Sequence, residues 1–597
     1  MRSTKRYAGT LLIIGLALAG CGENGTQPGE PVVYRHALDG APSSLDPAHA
    51  ANVYAATVVV NLYDTLYRYK YLARPYQLTP NLAARMPEVS EDGRIWSISL
   101  RDDVRFADDP AFPEGRGRRV TASDVVYSLA RHFDPATRSQ GAWLWRDRIR
   151  GIDDWAEAGA DPDTEIEGLK AIDETTVRIE LDRPYPQLTH TLAMALSAIV
   201  PREAVEHYGR EFGVHPVGSG PFELARFDET VAVLEARRAF DRGPLDLAAE
   251  GHDPARHGHL GLESLDGRHY PFADRIEIHF ITEPTARWTS FAAGGEVDNV
   301  MVPPEQAGRV LASREPIEFE PEIRSRYHAL AKPEAGFVFY GFNMDNPEIG
   351  HHDDPERDRR NRALRCAMRD AFDWQTRNEA FYHGLGTVFP GAIPPFLAEY
   401  DADAPDDSIR HHPDRARQRL AEHGWNTDNL PTLDYGLESS VHQRQMFEQF
   451  RAWMEAIGYP AGKLRRQSHA SFGEFNRAIA KRELDMFLLG WTMAYPDPQY
   501  SLQMFYGPNA APGANSFNYR NDEFDRLFER ASVLPPGPER TRAYRQLNRM
   551  IIDDCVIIGS LARQRLHLWR RHARMLPDRE ILGGFFLRFV DVGDADG

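Results

Sequence analysis

Short stretches of alternating apolar and polar residues are interleaved along this chain with stretches of helical periodicity. Residues 95–100 (IWSISL) follow the turn signal Asp92-Gly93 and alternate with a period of two, which predicts a hairpin strand. Residues 274–280 (DRIEIHF) alternate in the same way. Interleaved strands and helices without a repeat period predict α/β domains and exclude solenoids and propellers.

Two further segments carry helix signals. Residues 121–124 (TASD) place a capping Thr three residues before an acid, directly ahead of the apolar residues 125–130, and predict a helix start. The second segment is an apolar stripe at helical spacing, formed by Leu364, Ala367, Met368, Ala371 and Phe372. Such a stripe is typical of a helix face packed on a core.

The N-terminus has the order of a bacterial export signal. Three basic residues within the first six precede the apolar residues 11–19, a run about half as long as a membrane-spanning helix. It ends in Leu18-Ala19-Gly20-Cys21, which resembles a lipobox whose Cys thiol takes a lipid. We therefore expect a lipoprotein signal peptide over 1–20, lipidation of Cys21 and a flexible tether over 21–30. The alternative is an ordinary secretory signal followed by a chance cysteine.

Length and charge narrow the function further. A chain of 597 residues is too long for one core and predicts two or three domains. No later segment is apolar and long enough to span a membrane. The net charge of −18 argues against a nucleic-acid partner, because binding phosphate backbones depends on basic surface. The remaining cysteines, Cys366 and Cys555, are more commonly buried free thiols than a bridge in so large a chain, and the sequence leaves their pairing open.

The sequence contains none of the common catalytic motifs. His-Glu-x-x-His, a Gly-x-Ser-x-Gly elbow and a phosphate-binding loop are all absent, so we expect a binding protein rather than an enzyme, with a hydrolase as the less favoured alternative. Three histidine clusters lie in polar stretches, around His252/His257/His259, His351/His352 and His411/His412. Solvated surface is the usual state of such clusters, so we expect no metal and no cofactor.

Eleven segments, in order, carry a family resemblance. They are residues 44–47 (SLDP), 61–66 (NLYDTL), 80–83 (PNLA), 90–93 (SEDG), 100–106 (LRDDVRF), 120–128 (VTASDVVYS), 217–222 (VGSGPF), 295–298 (GEVD), 342–343 (FN), 365–373 (RCAMRDAFD) and 490–491 (GW). Over nearly its whole mature length the chain resembles the oligopeptide/dipeptide/nickel-type solute-binding proteins of bacterial ABC importers.

The resemblance implies an α/β, two-lobed periplasmic-binding-protein-like fold of type II, in the large cluster with an extra subdomain. Lobe I would be discontinuous (31–75, 198–303 and 556–597), with an inserted subdomain over 76–197 and lobe II over 304–555. Two hinged lobes that close on a solute suit a carrier, because the ligand shifts the population towards the closed form. The implied partners are a permease/ATPase complex and a peptide-like solute. We expect an exported monomer that reaches the membrane only through its lipid.

In the peptide-binding members of that family, two backbone segments pair with the ligand like added strands. The corresponding ligand-binding residues here would be Asn52, Val53, Tyr54, Gly490, Trp491, Thr492, Met493, Tyr495 and Asp497. Trp143 and Trp145 are weaker candidates, with core packing about equally expected.

Two departures affect the ligand. Ala494 and Ala51 occupy positions where peptide binders carry acidic residues, one of which pairs with the α-amino group of the ligand. Asp497 could substitute for that acid, although a turn residue between two prolines is the commoner reading. The alternatives are a non-peptide solute (a nickel chelate, a glycan or another polar small molecule) and a sensor lipoprotein.

Overall fold

A computed structural model describes residues 31–403, 406–578, 581 and 583–593 of the chain. The predicted signal peptide, the tether and Cys21 lie outside the described residues. Within the described residues, no helix is both long and apolar enough to cross a membrane.

The first half of the described chain alternates between strands and short helices. Its strands are β1 Val33–Leu38, β2 Tyr67–Tyr69, β3 Leu78–Pro80, β4 Glu88–Val89, β5 Ile95–Ser99, β6 Leu169–Ala171, β7 Thr176–Glu180, β8 Phe222–Phe227, β9 Val231–Ala236, β10 Arg275–Phe280 and β11 Asn299–Met301. Its helices are α1 Val53–Leu62, α2 Ala122–Ala130, α3 Ile152–Glu157, α4 Leu188–Thr191, α5 Arg202–Tyr208, α6 Pro254–His257 and α7 Pro284–Ala292.

The second half contains the longer helices. Its strands are β12 Leu311–Arg314, β13 Ile317–Phe319, β14 Tyr327–Pro333, β15 Gly336–Phe342, β16 Gly386–Phe389, β17 Leu433–Glu438, β18 Leu464–His469, β19 Met486–Thr492, β20 Ile557–Arg570, β21 Ala573–Arg574 and β22 Asp591–Val592. Its helices are α8 Ala307–Val310, α9 Pro321–Arg326, α10 Pro355–Ala371, α11 Trp374–Tyr382, α12 Pro413–Glu422, α13 Val441–Ala456, α14 Phe472–Ala480, α15 Pro498–Leu502, α16 Asp522–Val533 and α17 Pro538–Asp553.

Two four-stranded sheets form in the first half. The sheet β1-β10-β9-β8 contains one parallel pair, β1 with β10, and buries Ile276 and Ile278 completely, which confirms the strand predicted by alternation at 274–280. The antiparallel sheet β4-β5-β7-β6 buries Trp96 and Ile98 and confirms the predicted hairpin strand. The α2 helix packs on this second sheet. It begins as predicted, because the Asp124 carboxylate accepts the Thr121 backbone N–H at 2.8 Å.

The second half is organised around an eight-stranded sheet, in which β11, β20, β15, β19, β17 and β18 follow one another while β14 and β16 also pair with β20. Residues 557–563 of β20 pair with β15 and β16, and residues 564–570 pair with β14 and β11. This one strand was predicted for lobe I, yet it pairs mainly with strands predicted for lobe II. The predicted division into segments stays a prediction, and β20 begins directly after its last boundary.

Two large apolar cores underlie these sheets. One contains buried residues between 34 and 278 together with buried residues between 569 and 590, so the two ends of the described chain share a core. The other contains buried residues between 337 and 562. Sheets covered by helices around these cores confirm the predicted α/β class.

Cys366 and Cys555 form a disulfide, with their Cα atoms 5.3 Å apart. Cys366 lies on α10, whose predicted apolar stripe is buried, and Cys555 follows the end of α17. The reading of two free thiols as the commoner state is therefore wrong for this chain. Their separation of 189 positions in the sequence hid their proximity, because only the packing of α10 and α17 near β20 brings them together.

Candidate solute-binding cleft

The first predicted segment lies at the start of α1. The Asn52 side-chain oxygen accepts the backbone N–H groups of Tyr54 and Ala55 at 3.1 and 3.0 Å, so Asn52 is the N-cap of this helix. Capping fixes the direction in which the chain enters the helix, and residues 50–53 are left facing a cavity.

The second predicted segment is the end of β19 and the turn after it. Residues 486–492 pair antiparallel with β15, and the Met493 N–H continues this pairing by donating to the Ala335 carbonyl at 2.9 Å. On its other edge β19 pairs with β17 only through Met486 and Phe487. Among the described residues, the rest of β19 therefore has a strand on one side only.

A cavity of about 270 Å³ brings the two segments together. Asn52 and Val53 line it from one side, and Thr492 and Met493 line it from the other. Its other described lining residues include Ala51, Ala494, Tyr69, Trp143, Met194, Tyr500 and Ile581. Both alanines that replace expected acids thus face this cavity.

Trp143 and Trp145 separate in the structure. Trp143 is 41% exposed and lines the cavity, whereas Trp145 is fully buried beside the His132 ring. Sequence reasoning missed Tyr69 and Tyr500 altogether. No local pattern marks them, because they reach the cavity from elements more than 400 residues apart.

Gly490 and Trp491 line a different cavity, of about 630 Å³, together with Phe472 and Arg477 of α14. The Trp491 ring lies beside Tyr500, with 5.4 Å between ring centroids, and Tyr500 lines the smaller cavity. The Trp491 Nε1 atom is buried and has no hydrogen-bond partner among the described residues. Consecutive residues of β19 and its turn thus reach first the larger cavity and then the smaller one.

Tyr54 lines neither of these two cavities. Its ring packs so closely on Gly40 that a Cβ atom at Gly40 would lie within 2.8 Å of three ring carbons. The start of α1 turns Tyr54 towards this glycine, so the ring packs on Gly40.

Tyr495 is buried and joins distant parts of the chain. Its hydroxyl donates to the Gln499 side-chain oxygen at 2.9 Å and lies 3.3 Å from the Tyr185 hydroxyl, while its ring stacks on His190. Burial raises the pKa of Tyr495 well above its ordinary value and lowers the pKa of His190 to about 4. His190 in turn contacts Tyr69, whose hydroxyl lies 2.8 Å from the His190 Nδ1. Tyr495 is therefore placed behind the cavity wall, where it links Tyr185 and His190 to the second half of the chain.

Asp497 is buried and does not line the cavity. Its carboxylate accepts from the Arg540 guanidinium at 2.7 Å and from the Gln499 N–H at 2.9 Å, which caps α15. Glu399 lies 3.5 Å from the same guanidinium, and burial followed by repulsion from Asp497 raises its pKa. Arg540 of α17 thus neutralises the Asp497 charge. The position of Asp497 fits a turn residue better than a substitute for the acid that peptide binders carry at the position of Ala494.

The histidine clusters show no metal geometry. His252 lies 3.3 Å from Glu263 and beside the His257 ring. In the described part of the chain, no three His, Cys, Asp or Glu side chains converge closely enough to hold an ion.

Comparisons with known proteins agree with this architecture. Residues 77–513 match the family model of bacterial extracellular solute-binding proteins, family 5. The glutathione-binding protein GsiB of Escherichia coli O1:K1 is 25% identical over 515 residues, covering 85% of each chain, and GsiB of Shigella flexneri is also 25% identical with the same coverage.

Solved structures share the fold at lower identity. HbpA2 from Haemophilus parasuis superposes with a TM-score of 0.74 at 19% identity, covering 94% of this chain and 99% of that one. The unliganded open form of the periplasmic murein tripeptide binding protein MppA gives 0.72 at 19% identity, covering 94% and 98%. These similarities confirm the two-lobed periplasmic-binding-protein fold. The family match and the GsiB relatives confirm the prediction of a binding protein. The chain belongs to the family 5 extracellular solute-binding proteins of bacterial ABC importers.

Proposed function

We propose that this chain is the substrate-binding lipoprotein of an ABC importer, which captures a peptide-like solute between its lobes and delivers it to the permease. The observation that carries the proposal is the cavity in which Asn52–Val53 and Thr492–Met493 face each other. These segments lie about 440 residues apart and come from the two apolar cores. A cavity between two lobes is where a hinged receptor gains affinity by closing.

The free edge of β19 supports a peptide-like ligand. Beyond Phe487 this strand has β15 on one side and no strand paired on the other side among the described residues. An extended chain can add to such an edge through main-chain hydrogen bonds, which bind peptides with little dependence on sequence. Gly490 and Thr492 are exposed on this edge, next to the larger cavity.

Relatives support the same class of solute. The GsiB proteins bind glutathione, and solved relatives hold the peptides STSA in DppA of Helicobacter pylori and RPPGFSPFR in OppA of Haemophilus influenzae. Each of these ligands contains peptide bonds that a free strand edge can recognise.

Native mass spectrometry of gently purified protein tests the proposal, because closed-cleft binders retain endogenous solute. We expect a retained mass that fragments as a peptide-like molecule, and we expect Ala494→Trp to abolish retention by filling the smaller cavity. Ala84→Trp is the matched control, since Ala84 is exposed and lies outside both cavities. Turnover of a peptide panel by the purified protein, or retention unaffected by Ala494→Trp, would overturn the proposal.

The lipid anchor at Cys21 is part of this proposal. A lipid on the first mature residue would hold the carrier near its importer at a local concentration set by the tether of residues 21–30. The unaltered protein should partition into the detergent phase, and Cys21→Ser should move it to the aqueous phase. Equal partitioning of the two proteins would contradict lipidation.

A further inference from the structure

The smaller cavity has an apolar and aromatic wall. The side chains of Val53, Met194, Leu196, Met493 and Ile581 contribute aliphatic surface. Trp143 adds an indole that is 41% exposed and therefore available for contact. Every described lining residue carries a side chain that is uncharged at neutral pH.

The polar groups on the described wall of this cavity are few and neutral. The Asn52 oxygen is engaged in capping α1, and the Tyr69 hydroxyl is engaged with the His190 ring. Burial raises the pKa of Tyr500 to about 12, which keeps its phenol protonated. The Asn52 amide, the Thr492 hydroxyl and the Tyr500 hydroxyl thus present hydrogen-bonding groups of the kind that match amides and hydroxyls.

The described carboxylate that follows Ala494 most closely in sequence is already paired. Asp497 follows Ala494 by three residues, but it is 1% exposed and bonded to Arg540, which is 4% exposed. A ligand ammonium or carboxylate in the cavity would lose its hydration without gaining a charged partner from the described wall. Desolvation of that kind selects against charged groups and in favour of apolar ones.

The volume of the smaller cavity limits how much of a solute it can hold. A volume of about 270 Å³ lies just below the ~300–1,000 Å³ typical of sites for whole small ligands. The smaller cavity therefore has room for one end or one side group of a solute, and the 630 Å³ cavity beside Trp491 has room for a larger part.

We propose that the part of the solute held between Ala51 and Ala494 is uncharged and largely apolar, such as a blocked terminus or an aromatic or aliphatic side group of a peptide-like molecule. This inference rests on the proposed function and specifies its class of solute. This cavity excludes a free α-ammonium group. A solute that carries such a group binds with it outside the cavity.

Competition between two peptide pools tests this inference on the full mature protein. Both pools contain the same random tetrapeptide amides made only of uncharged amino acids, and one pool is N-acetylated while the other has a free α-amine. Peptides retained by the protein are counted by mass spectrometry. We expect the acetylated pool to be enriched by about tenfold or more on the unaltered protein, because the free amine is desolvated without a partner.

Two variants and one control accompany this measurement. Ala51→Asp and Ala494→Asp each place a carboxylate on the cavity wall, at an exposed and a half-buried position, and should shift enrichment towards the free-amine pool. Ala84→Asp adds the same charge at an exposed site outside the cavity and should leave the preference unchanged.

The outcomes separate the two proposals. Equal retention of both pools, or enrichment of the free-amine pool, on the unaltered protein overturns the inference and leaves peptide capture standing. An acetylated preference that neither Ala51→Asp nor Ala494→Asp alters also overturns it, because recognition would then occur outside this cavity. Retention of neither pool overturns the proposed peptide-like solute and the inference with it.

Discussion

Replacing Asp64 by Asn would remove the only carboxylate that contacts two buried arginines within the described part of the chain. The Asp64 carboxylate accepts from the guanidinium groups of Arg588 and Arg242, each at 2.8 Å, and none of the three side chains is more than 7% exposed. Asp64 follows α1, and Arg588 belongs to the C-terminal segment whose Gly583 lines the smaller cavity. The network therefore fixes that segment against the helix that begins at the cavity.

The expected loss in the free energy of unfolding follows from the burial and the charge of Asp64. Burial opposes ionisation of Asp64, but attraction to Arg588 and Arg242 outweighs it and lowers the pKa from 3.8 to about 2. That difference corresponds to about 2 kcal/mol of stability at neutral pH. Removing one partner of a buried ion pair costs about 3–5 kcal/mol in other proteins. The pKa gives the lower figure because a protonated carboxyl still offers its oxygens as acceptors, and an amide keeps one of them. We expect Asp64→Asn to lower the free energy of unfolding by about 2–4 kcal/mol.

Urea unfolding followed by tryptophan fluorescence measures this loss, since the chain has 10 tryptophans. Asp103→Asn is the matched control, because Asp103 pairs with Arg101 at 2.6 Å while its side chain is 56% exposed. The control should lose less than about 1 kcal/mol. Equal losses from the two substitutions would refute the reasoning that burial gives the Asp64 network its strength.

The same ion network predicts a pH dependence. The folded pKa of Asp64 lies below its unfolded value, so its stabilisation is complete above about pH 4–5 and is lost as the pH falls through about 2. The stabilities of the unaltered protein and Asp64→Asn should therefore converge between about pH 4 and pH 2. A difference that stays constant over this range would contradict the assigned charge state.

Three further predictions follow from the cleft and the disulfide. Trp491→Ala should weaken solute binding by about 1–3 kcal/mol in calorimetry, because the ring lines the larger cavity, and an unchanged affinity would move the site elsewhere. Replacing Cys366 and Cys555 together by Ala should lower the free energy of unfolding by about 2–4 kcal/mol, since a 189-residue separation is no longer constrained, and a loss below about 0.5 kcal/mol would show that the bridge is not stabilising. Asp497→Asn should destabilise the fold by about 3–5 kcal/mol by leaving Arg540 buried without its closest partner. Lost affinity at unchanged stability would instead make Asp497 a ligand contact.

Local patterns along the sequence were sufficient for much of the fold. The alternation at 274–280 and the Thr121–Asp124 capping pair each depend on residues within one strand or one helical turn, so near neighbours determined them. The order of motifs also identified the family. Both predicted ligand-binding segments remain predictions, and Asn52 and Thr492 line the same cavity.

Tertiary structure alone decided which side chains of those segments line the two cavities. Asp497 does not line the smaller cavity, because it pairs with Arg540 on α17. Tyr495 does not line it either, because its ring stacks on His190 and its hydroxyl contacts the Tyr185 hydroxyl. The Cys366–Cys555 bridge depends in the same way on contacts between distant elements. A buried charge or ring goes to whichever partner the packing supplies, and that partner lies far away in sequence, where no local pattern can indicate it.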